Sequence, residues 1–199
     1  MTWSLLDNYG RRKYLTPAER SAFISAALKA EPITSSFCLT LALTGARISE
    51  ALAITAERVD SGNNAIVLET LKRRKRGVFR AVPVPRNLIR HLASVHAIRL
   101  EDQKAGDRRL WQFSRPTAWK RVRLVMAAAG IPSTQAKPKA LRHAFAIEAV
   151  QKRIALSLIK KWLGHAKIET TAIYAEPIGE EERALARLMW RTLPAFKGP

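Results

Sequence analysis

Signals for helix starts and ends recur along most of this 199-residue sequence. The clearest is Thr16-Pro17-Ala18-Glu19, in which a hydroxyl N-cap, a proline at the first helical position and a glutamate at the third open a helix expected to reach Ala30. Apolar residues at helical spacing, bounded by proline or glycine, predict the other helices. They are expected at 34–43, 46–54, 85–104, 116–129, 139–153, 155–163 and 169–174, followed by an amphipathic segment at 180–193.

Two short segments break this helical pattern. Residues 64–71 are rich in Ile, Val and Leu, and residues 78–84 resemble a partner strand, which predicts a β-hairpin across a basic turn at 72–77. The expected fold class is therefore α+β, mainly helical with a small antiparallel hairpin, in one domain. Residues 1–15 show no period and are expected to form a loose arm.

The charge of the chain indicates a polyanionic partner. Its 35 Lys and Arg residues against 16 acids give a formal net charge of +19, far more than solubility requires. Nucleic acid is the leading candidate, and a ribosomal-type or membrane-surface basic protein is the alternative.

Cysteine content and hydropathy predict a cytoplasmic protein that is not exported. The one cysteine, Cys38, lies in an apolar run, so no intrachain disulfide is possible and a buried thiol is expected. Residues 1–10 lack the pattern of a signal peptide, and no stretch approaches the roughly 18 apolar residues of a membrane span.

His165 and Tyr174, nine residues apart in a very basic chain, suggest phosphoryl chemistry with Tyr174 as nucleophile. A tyrosine after an apolar helix is usually a packed core residue, so further residues must support the idea. Phosphodiester cleavage without a metal needs a nucleophile, cations at the non-bridging oxygens and an acid for the leaving oxygen. The sequence has no acidic cluster typical of a two-metal site, no zinc-ligand spacing and no phosphate-binding GxxxxGK[ST] loop. No cofactor is therefore expected.

Three segments resemble the boxes of the tyrosine recombinase, or phage integrase, family. Residues 44–50 (TGARISE) resemble the first arginine box, 139–146 (KALRHAFA) the second, and 163–174 the third. Their order and the spacing from histidine to tyrosine also match. The resemblance covers residues 13–178. It implies double-stranded DNA as the partner and a protein of a prokaryotic cell, or one encoded by a phage or plasmid.

The resemblance implies a role for each box residue. Arg47 and Arg142 would clamp the scissile phosphate through planar forks of donors, and His165 would hydrogen-bond the same phosphate. Tyr174 would attack phosphorus, leaving a covalent 3′-phosphotyrosyl link and a free 5′-hydroxyl. Because that link conserves the phosphodiester energy, no ATP is needed.

The sequence leaves two assignments open, namely which lysine is the general acid and what Lys139 does in the second box. In the family a lysine in a β-hairpin turn protonates the leaving 5′-oxygen; Lys72 matches best, and Lys75 is its competitor. Lys139 stands where the family usually has a histidine. It could still contact a non-bridging oxygen but could not act as a neutral imidazole base. The neighbouring His143 is expected to pack or to support Arg142.

Further basic residues of the hairpin and of the helix after Pro116 are expected to contact DNA phosphates. They are Arg73, Arg74, Lys75, Arg76, Arg80, Arg115, Lys120, Arg121 and Arg123.

The expected function is site-specific recombination through a Holliday junction. A non-catalytic DNA-binding regulator with the same fold, and an enzyme of the type IB topoisomerase or telomere resolvase class, are the alternatives. An arm at 1–12 would precede the catalytic domain, and a C-terminal helix and tail at 179–199 would follow it. That helix would dock on a neighbouring protomer in a tetramer on DNA, or else on its own core. The length suggests a short member with the catalytic domain alone, or part of a longer protein.

Overall fold

The computed structural model describes residues 5–70, 77–98 and 108–174. In these ranges the chain forms α1 (Pro17–Leu28), α2 (Pro32–Thr44), α3 (Ile48–Leu52), a 3-10 turn (Ala56–Arg58), β1 (Val59–Asp60), β2 (Ala65–Glu69), β3 (Phe79–Pro83), α4 (Arg86–His96), α5 (Arg115–Ala128), α6 (Pro138–Gln151), α7 (Leu156–Leu163) and α8 (Glu169–Ala172). The mainly helical α+β class predicted from the sequence is confirmed. Of the helices in this part of the chain, none is long and apolar enough to cross a membrane.

The predicted capping box starts α1. Thr16 Oγ1 accepts a hydrogen bond from the Glu19 N–H at 3.2 Å, and the Glu19 carboxylate accepts one from the Thr16 N–H at 2.8 Å. Helix α2 begins two residues earlier than predicted, at Pro32. The Glu31 carboxylate caps its first N–H groups, and a proline at the first turn is compatible with a helix start.

The hairpin is also confirmed, within a slightly larger sheet. Strands β2 and β3 pair antiparallel, with Ala65 opposite Pro83 and Glu69 opposite Phe79. The two-residue strand β1 adds an edge that the sequence did not reveal, because two residues are too short to show alternation. The basic turn at 72–76 lies outside the described residues.

The prediction for α4 was too long. The helix ends at His96, where Ala97 adopts a left-handed conformation with φ of 51°. Ile98 continues the apolar spacing beyond this end, so periodicity alone did not mark it.

Helix α2 forms the centre of the core. Its residues from Thr34 to Ala42 are all buried, and it packs on α1, α4, α5 and α6. Phe37 meets the Trp111 ring edge to face at 5.1 Å between centroids. Cys38 is fully buried, as predicted, and burial raises the pKa of its thiol to about 12.

The expectation of a loose N-terminal arm was wrong for residues 5–15. The Asp7 carboxylate accepts hydrogen bonds from two later backbone N–H groups and closes a tight turn, and the Lys13 N–H donates to the Leu5 carbonyl at 2.8 Å. Leu5 is 4% exposed and packs in the same apolar cluster as Tyr174. Leu15 is also buried, and Arg12 pairs with Glu19, so several separate contacts anchor the segment without producing a periodic pattern.

Candidate active site

A cleft of about 700 Å³ opens between the start of α3, the start of α6, the face of α5 and the end of α8. Predicted site residues on its wall are Arg47, Arg115, Lys139, Arg142, His165 and Tyr174. The fold therefore brings residues of all three boxes into one cleft. Lys72 and Lys75, the two candidates for the general acid, lie outside the described residues, as do Arg73, Arg74 and Arg76.

Arg47 is held at the N-cap of α3. The Glu50 carboxylate accepts hydrogen bonds from the Arg47 backbone N–H at 3.0 Å and from Arg47 Nη1 at 2.7 Å. The Arg47 side chain is still 29% exposed, so it can reach a ligand in the cleft. Gly45, two residues earlier, has a φ of 62°, and a Cβ there would lie 2.7 Å from the Phe145 ring. Only glycine combines that conformation with so close an approach of α6.

Glu50 is the centre of an arginine cluster. Its side chain is fully buried, accepts from Arg47 and Arg80, and lies 3.9 Å from Arg142 Nη1. Burial by itself would raise the pKa of this carboxyl, but attraction by Arg80, with the hydrogen bonds from Arg47, lowers it overall. Sequence reasoning did not assign Glu50 to the site, although the first box contains it and the spacing from Arg47 is that of a capping box.

Arg80 does not face solvent as a DNA contact would. It is 6% exposed, and its guanidinium donates to the Trp162 carbonyl at 2.7 Å, to Thr70 Oγ1 at 2.9 Å and to Glu50 Oε2 at 2.7 Å. Residues of β3 alternate between exposed and buried, and Arg80 shares the inward side with Val82. The expectation of a phosphate contact does not fit this placement, and the alternation was a sequence signal against it.

Arg142 joins the first and third boxes. Its Nη1 donates to the Gly45 carbonyl at 2.8 Å and its Nη2 to the Leu163 carbonyl at 2.6 Å. Burial, then repulsion by Arg47, lowers the pKa of this guanidinium to about 9. A bound anion would relieve that repulsion.

His165 follows Gly164, whose φ of 64° ends α7. The imidazole Nδ1 lies 2.9 Å from Thr171 Oγ1, and the ring is nearly parallel to that of Tyr174, with centroids 6.4 Å apart. Burial, with repulsion by Arg142 and Arg47, lowers the pKa of His165 to about 3. The imidazole is therefore neutral near pH 7.

Tyr174 points its hydroxyl at a histidine that sequence reasoning had assigned to packing or to support of Arg142. Its Oη lies 2.9 Å from His143 Nδ1, and the two residues are 3% and 2% exposed. Burial raises the pKa of the Tyr174 phenol to about 12, against the attraction of Arg142 and Arg47. His143 stands next to Arg142 in the second box, which was the one signal available.

The basic residues of α5 divide between two surfaces. Arg115 and the 42%-exposed Trp119 line the cleft, and the Arg123 guanidinium stacks over the Trp119 ring at 4.9 Å. Lys120 and Arg121 instead line a separate groove beside α1, where Arg121 donates to Glu31. Lys139 is exposed at the first turn of α6, on the cleft wall.

No group of three or more His, Cys, Asp or Glu side chains in residues 5–70, 77–98 and 108–174 is arranged to hold a metal ion.

Comparisons with known proteins find similar tyrosine recombinases and integrases. The tyrosine recombinase XerD of Mycobacterium tuberculosis (strain CDC 1551 / Oshkosh) is 30% identical over 141 residues, which are 66% of this chain and 43% of that protein. The crystal structure of XerA recombinase is similar at a TM-score of 0.71 and 25% identity, covering 92% of this chain and 64% of that one. For the catalytic domain of bacteriophage HP1 integrase the TM-score is 0.58 at 23% identity, with 92% and 98% covered.

The match to the family extends over most of the chain. This chain spans about half the length of the curated relatives it matches. Residues 13–180 match the Phage integrase family, and the chain belongs to that family, as its three boxes predicted.

Proposed function

We propose that this chain carries the catalytic centre of a site-specific DNA recombinase, which cleaves and rejoins double-stranded DNA through a covalent 3′-phosphotyrosyl link. The observation that carries the proposal is the meeting of Tyr174 with Arg47 and Arg142 in one cleft. A nucleophile beside two fixed guanidinium groups is the arrangement that attack on a phosphodiester requires.

In the proposed reaction Tyr174 Oη forms a bond to phosphorus as the bond from phosphorus to the 5′-oxygen breaks. Arg47 and Arg142 stabilise the charge on the non-bridging oxygens, and Lys139 adds a cation at the rim. The leaving 5′-oxygen takes a proton from Lys72, with Lys75 as the alternative. Attack by a 5′-hydroxyl of a second strand then releases the tyrosine, so no nucleotide is hydrolysed.

The charge balance of the cleft supports an anionic ligand. Among the described residues, Arg47, Arg80 and Arg142 share one nearby carboxylate, that of Glu50. Burial, then repulsion by Arg47 and to a lesser extent Arg80, lowers the pKa of Arg142, so a phosphate that binds here gains from relieving that repulsion. Because arginine side chains supply the positive charge at the phosphate, the proposed reaction uses no metal ion.

The face of α5 beside the cleft is the proposed track for the DNA backbone. Arg115 and Arg123 flank Trp119 there, and an arginine fork suits a phosphate oxygen pair. A solved structure of the same fold, XerH recombinase, is bound to its difH substrate. For this chain, we propose duplex binding because of the positive charge and shape of its own cleft. The hairpin turn at 72–76 is the proposed second contact with the duplex.

We further propose a tetramer on DNA in which the segment 180–193 docks on a neighbouring protomer. Its apolar spacing, with Leu185, Leu188 and Leu193, supports an amphipathic helix. Deleting the residues after Gly179 should then abolish assembly on DNA without abolishing binding by one protomer. Unchanged assembly would reject this part of the proposal.

The catalytic proposal is tested by trapping the covalent intermediate. A duplex library with random sequence around a nick lets the short 5′-hydroxyl fragment diffuse away after cleavage, so that the adduct accumulates. Wild-type protein should form an adduct that survives denaturation, and the released fragment should accept phosphate directly from a polynucleotide kinase.

Two tyrosine variants make the test specific. Tyr174→Phe should form no adduct, whereas Tyr9→Phe, at a position that is 82% exposed, should behave as wild type. Selective binding of library members without an adduct would favour the non-catalytic regulator instead.

A further inference from the structure

We propose that His143 takes the proton of Tyr174 as the tyrosine attacks DNA, and returns it when the strand is rejoined. The inference rests on the proposed function and makes His143 a catalytic residue, since it touches the reacting oxygen.

The contact between the two side chains is direct and sheltered. Tyr174 Oη lies 2.9 Å from His143 Nδ1, within the range for a proton donor and acceptor in a catalytic pair. The rings are tilted by 53° with centroids 5.7 Å apart, so they meet at their edges rather than stacking. Because both residues are almost fully buried, bulk water has little access to the phenol proton.

Other groups around Tyr174 are poorly suited to accept that proton. Arg142 is a donor only and is engaged with two backbone carbonyls. His165 lies alongside the Tyr174 ring with its Nδ1 at Thr171, and no hydrogen bond joins it to the Tyr174 hydroxyl in the part of the chain described here. Lys139 as an ammonium has no lone pair to offer.

The surroundings keep the His143 imidazole neutral and therefore able to accept. Burial, then repulsion by Lys139, Arg142 and Lys13, lowers the pKa of His143 to about 3. Among the described residues, the charged groups that act on it come from its own helix and from the N-terminal segment. His165 and Tyr174, whose side chains are neutral near pH 7, also lie close to it. A bound phosphate opposes these cations, so the basicity of His143 rises when the substrate is in place.

The second ring nitrogen is not committed to a partner. His143 Nε2 is buried without a hydrogen bond to any residue in the described ranges. Acceptance at Nδ1 requires the ring proton to reside on Nε2, and no described acceptor or donor there fixes the opposite tautomer.

The position of His143 also fits the unusual residue in the second box. Lys139 replaces the usual histidine, and His143 follows it by four residues on α6, so both lie on one face of the helix. An imidazole is thereby retained one turn further along the same helix.

The proton balance of the step is complete. As Oη bonds to phosphorus, its proton passes to His143 Nδ1 and forms an imidazolium, while the 5′-oxygen leaves with a proton from the general acid. On rejoining, the 5′-hydroxyl attacks, the tyrosine oxygen leaves phosphorus and the imidazolium returns the proton to it.

The experiment uses a nicked duplex recovered from the random library by adduct formation with wild-type protein. It is prepared with the ordinary 5′-oxygen and, separately, with sulfur in place of that bridging oxygen. Sulfur leaves without a proton, so it removes the need for the acid but not for the base. Single-turnover adduct rates and DNA affinity are measured for each.

His143→Gln and His143→Asn are the test variants, and His91→Asn on α4 is the matched control outside the cleft. We expect both His143 variants to lose about 10²- to 10⁴-fold in rate on both substrates, with DNA affinity unchanged. Their rate should increase with pH as hydroxide replaces the base. Lys72→Ala, in contrast, should be restored by the sulfur substrate.

Three results would overturn the inference. They are a rate within about threefold of wild type in both variants, full rescue by sulfur, which would make His143 the acid, and a loss of affinity that accounts for the whole defect. His143→Ala with added imidazole provides a further variant, and imidazole should restore its rate. If no variant folds, a solvent isotope effect on the wild-type protein with the sulfur substrate decides: its presence supports proton transfer from the nucleophile, and its absence rejects it.

Failure of the proposed function gives a different outcome. Wild-type protein without an adduct on any library member rejects the recombinase proposal and this inference with it. An adduct formed at the wild-type rate by His143→Gln rejects the inference alone.

Discussion

Arg80 donates from Nη2 to the Glu50 carboxylate at 2.7 Å, across 30 residues of sequence, and both side chains are buried. Glu50 in turn holds Arg47, and Arg80 also donates to the carbonyl of Trp162, close to the turn that carries His165. One buried ion pair therefore fixes the hairpin, the first box and the third box relative to one another. The strand that leads to the proposed general acid is part of the same unit, since Thr70 is a further partner of Arg80.

Removal of Arg80 should destabilise the whole domain. Arg80→Met leaves the buried Glu50 without its main partner, and breaking a buried pair in this way lowers the free energy of unfolding by about 3–5 kcal/mol. Urea titration measures the change. Arg90→Met, at an exposed position on α4, is the control and should change the unfolding free energy by less than about 0.5 kcal/mol. Equal effects of the two variants would contradict the structural role of Arg80.

The N-terminal segment should matter for both stability and catalysis. Leu5→Ala opens a cavity in the cluster that packs on Tyr174 and should cost about 2–5 kcal/mol of unfolding free energy. The neighbouring Leu6, 39% exposed, is the matched control, and Leu6→Ala should have a much smaller effect. Thermal unfolding and the adduct rate are the measurements. We expect Leu5→Ala to lower the adduct rate as well. If that rate is still low at temperatures where the variant is folded, the segment positions Tyr174 as well as stabilising the fold.

Acidification should destabilise the protein through its buried histidines. The pKa values of His143 and His165 are lowered to about 3, so the folded protein binds fewer protons than the unfolded chain. Their contribution is present above the unfolded pKa of about 6.5 and is lost as pH falls through 6.5 toward 3, by at most about 1.4 kcal/mol per pH unit for each histidine.

Urea titrations between about pH 8 and pH 5 check this slope. His143→Gln should reduce the slope below pH 6.5, because one of the two groups no longer titrates. An unchanged slope in this variant would show that His143 is not the source.

Binding to duplex DNA should depend strongly on salt. If Arg115 contacts a phosphate, Arg115→Gln should weaken binding evenly across sequences and reduce the slope of log affinity against log salt by about 1. Fluorescence anisotropy over a range of salt concentrations gives the slope. Arg90→Gln, on a helix away from the cleft wall, should leave it unaltered.

Chelation should not stop cleavage, because the proposed charge stabilisation comes from Arg47 and Arg142. The adduct rate with excess EDTA is expected to equal the rate without it. A rate that falls with EDTA and returns with added Mg²⁺ would place a metal ion in the reaction.

Local signals explain what could be predicted for the fold. The capping box at Thr16, the left-handed glycines at 45 and 164 and the apolar spacing of the helices act over a few residues, so the elements could be recognised within a few positions of their ends. The hairpin was recognisable for the same reason. The end of α4 was not, since Ile98 extends the apolar period past it.

For the site, the sequence by itself determined which residues belong to the three boxes, because their types and spacing persist along the chain. Only the tertiary structure decided the partners. Arg80 looks like any surface arginine until β3 turns it toward Glu50, and His143 looks like a core histidine until α8 brings Tyr174 to within 2.9 Å of it. Both contacts join residues about 30 positions apart, where no local period acts, and burial then converts ordinary polar side chains into a fixed ion pair and a neutral acceptor.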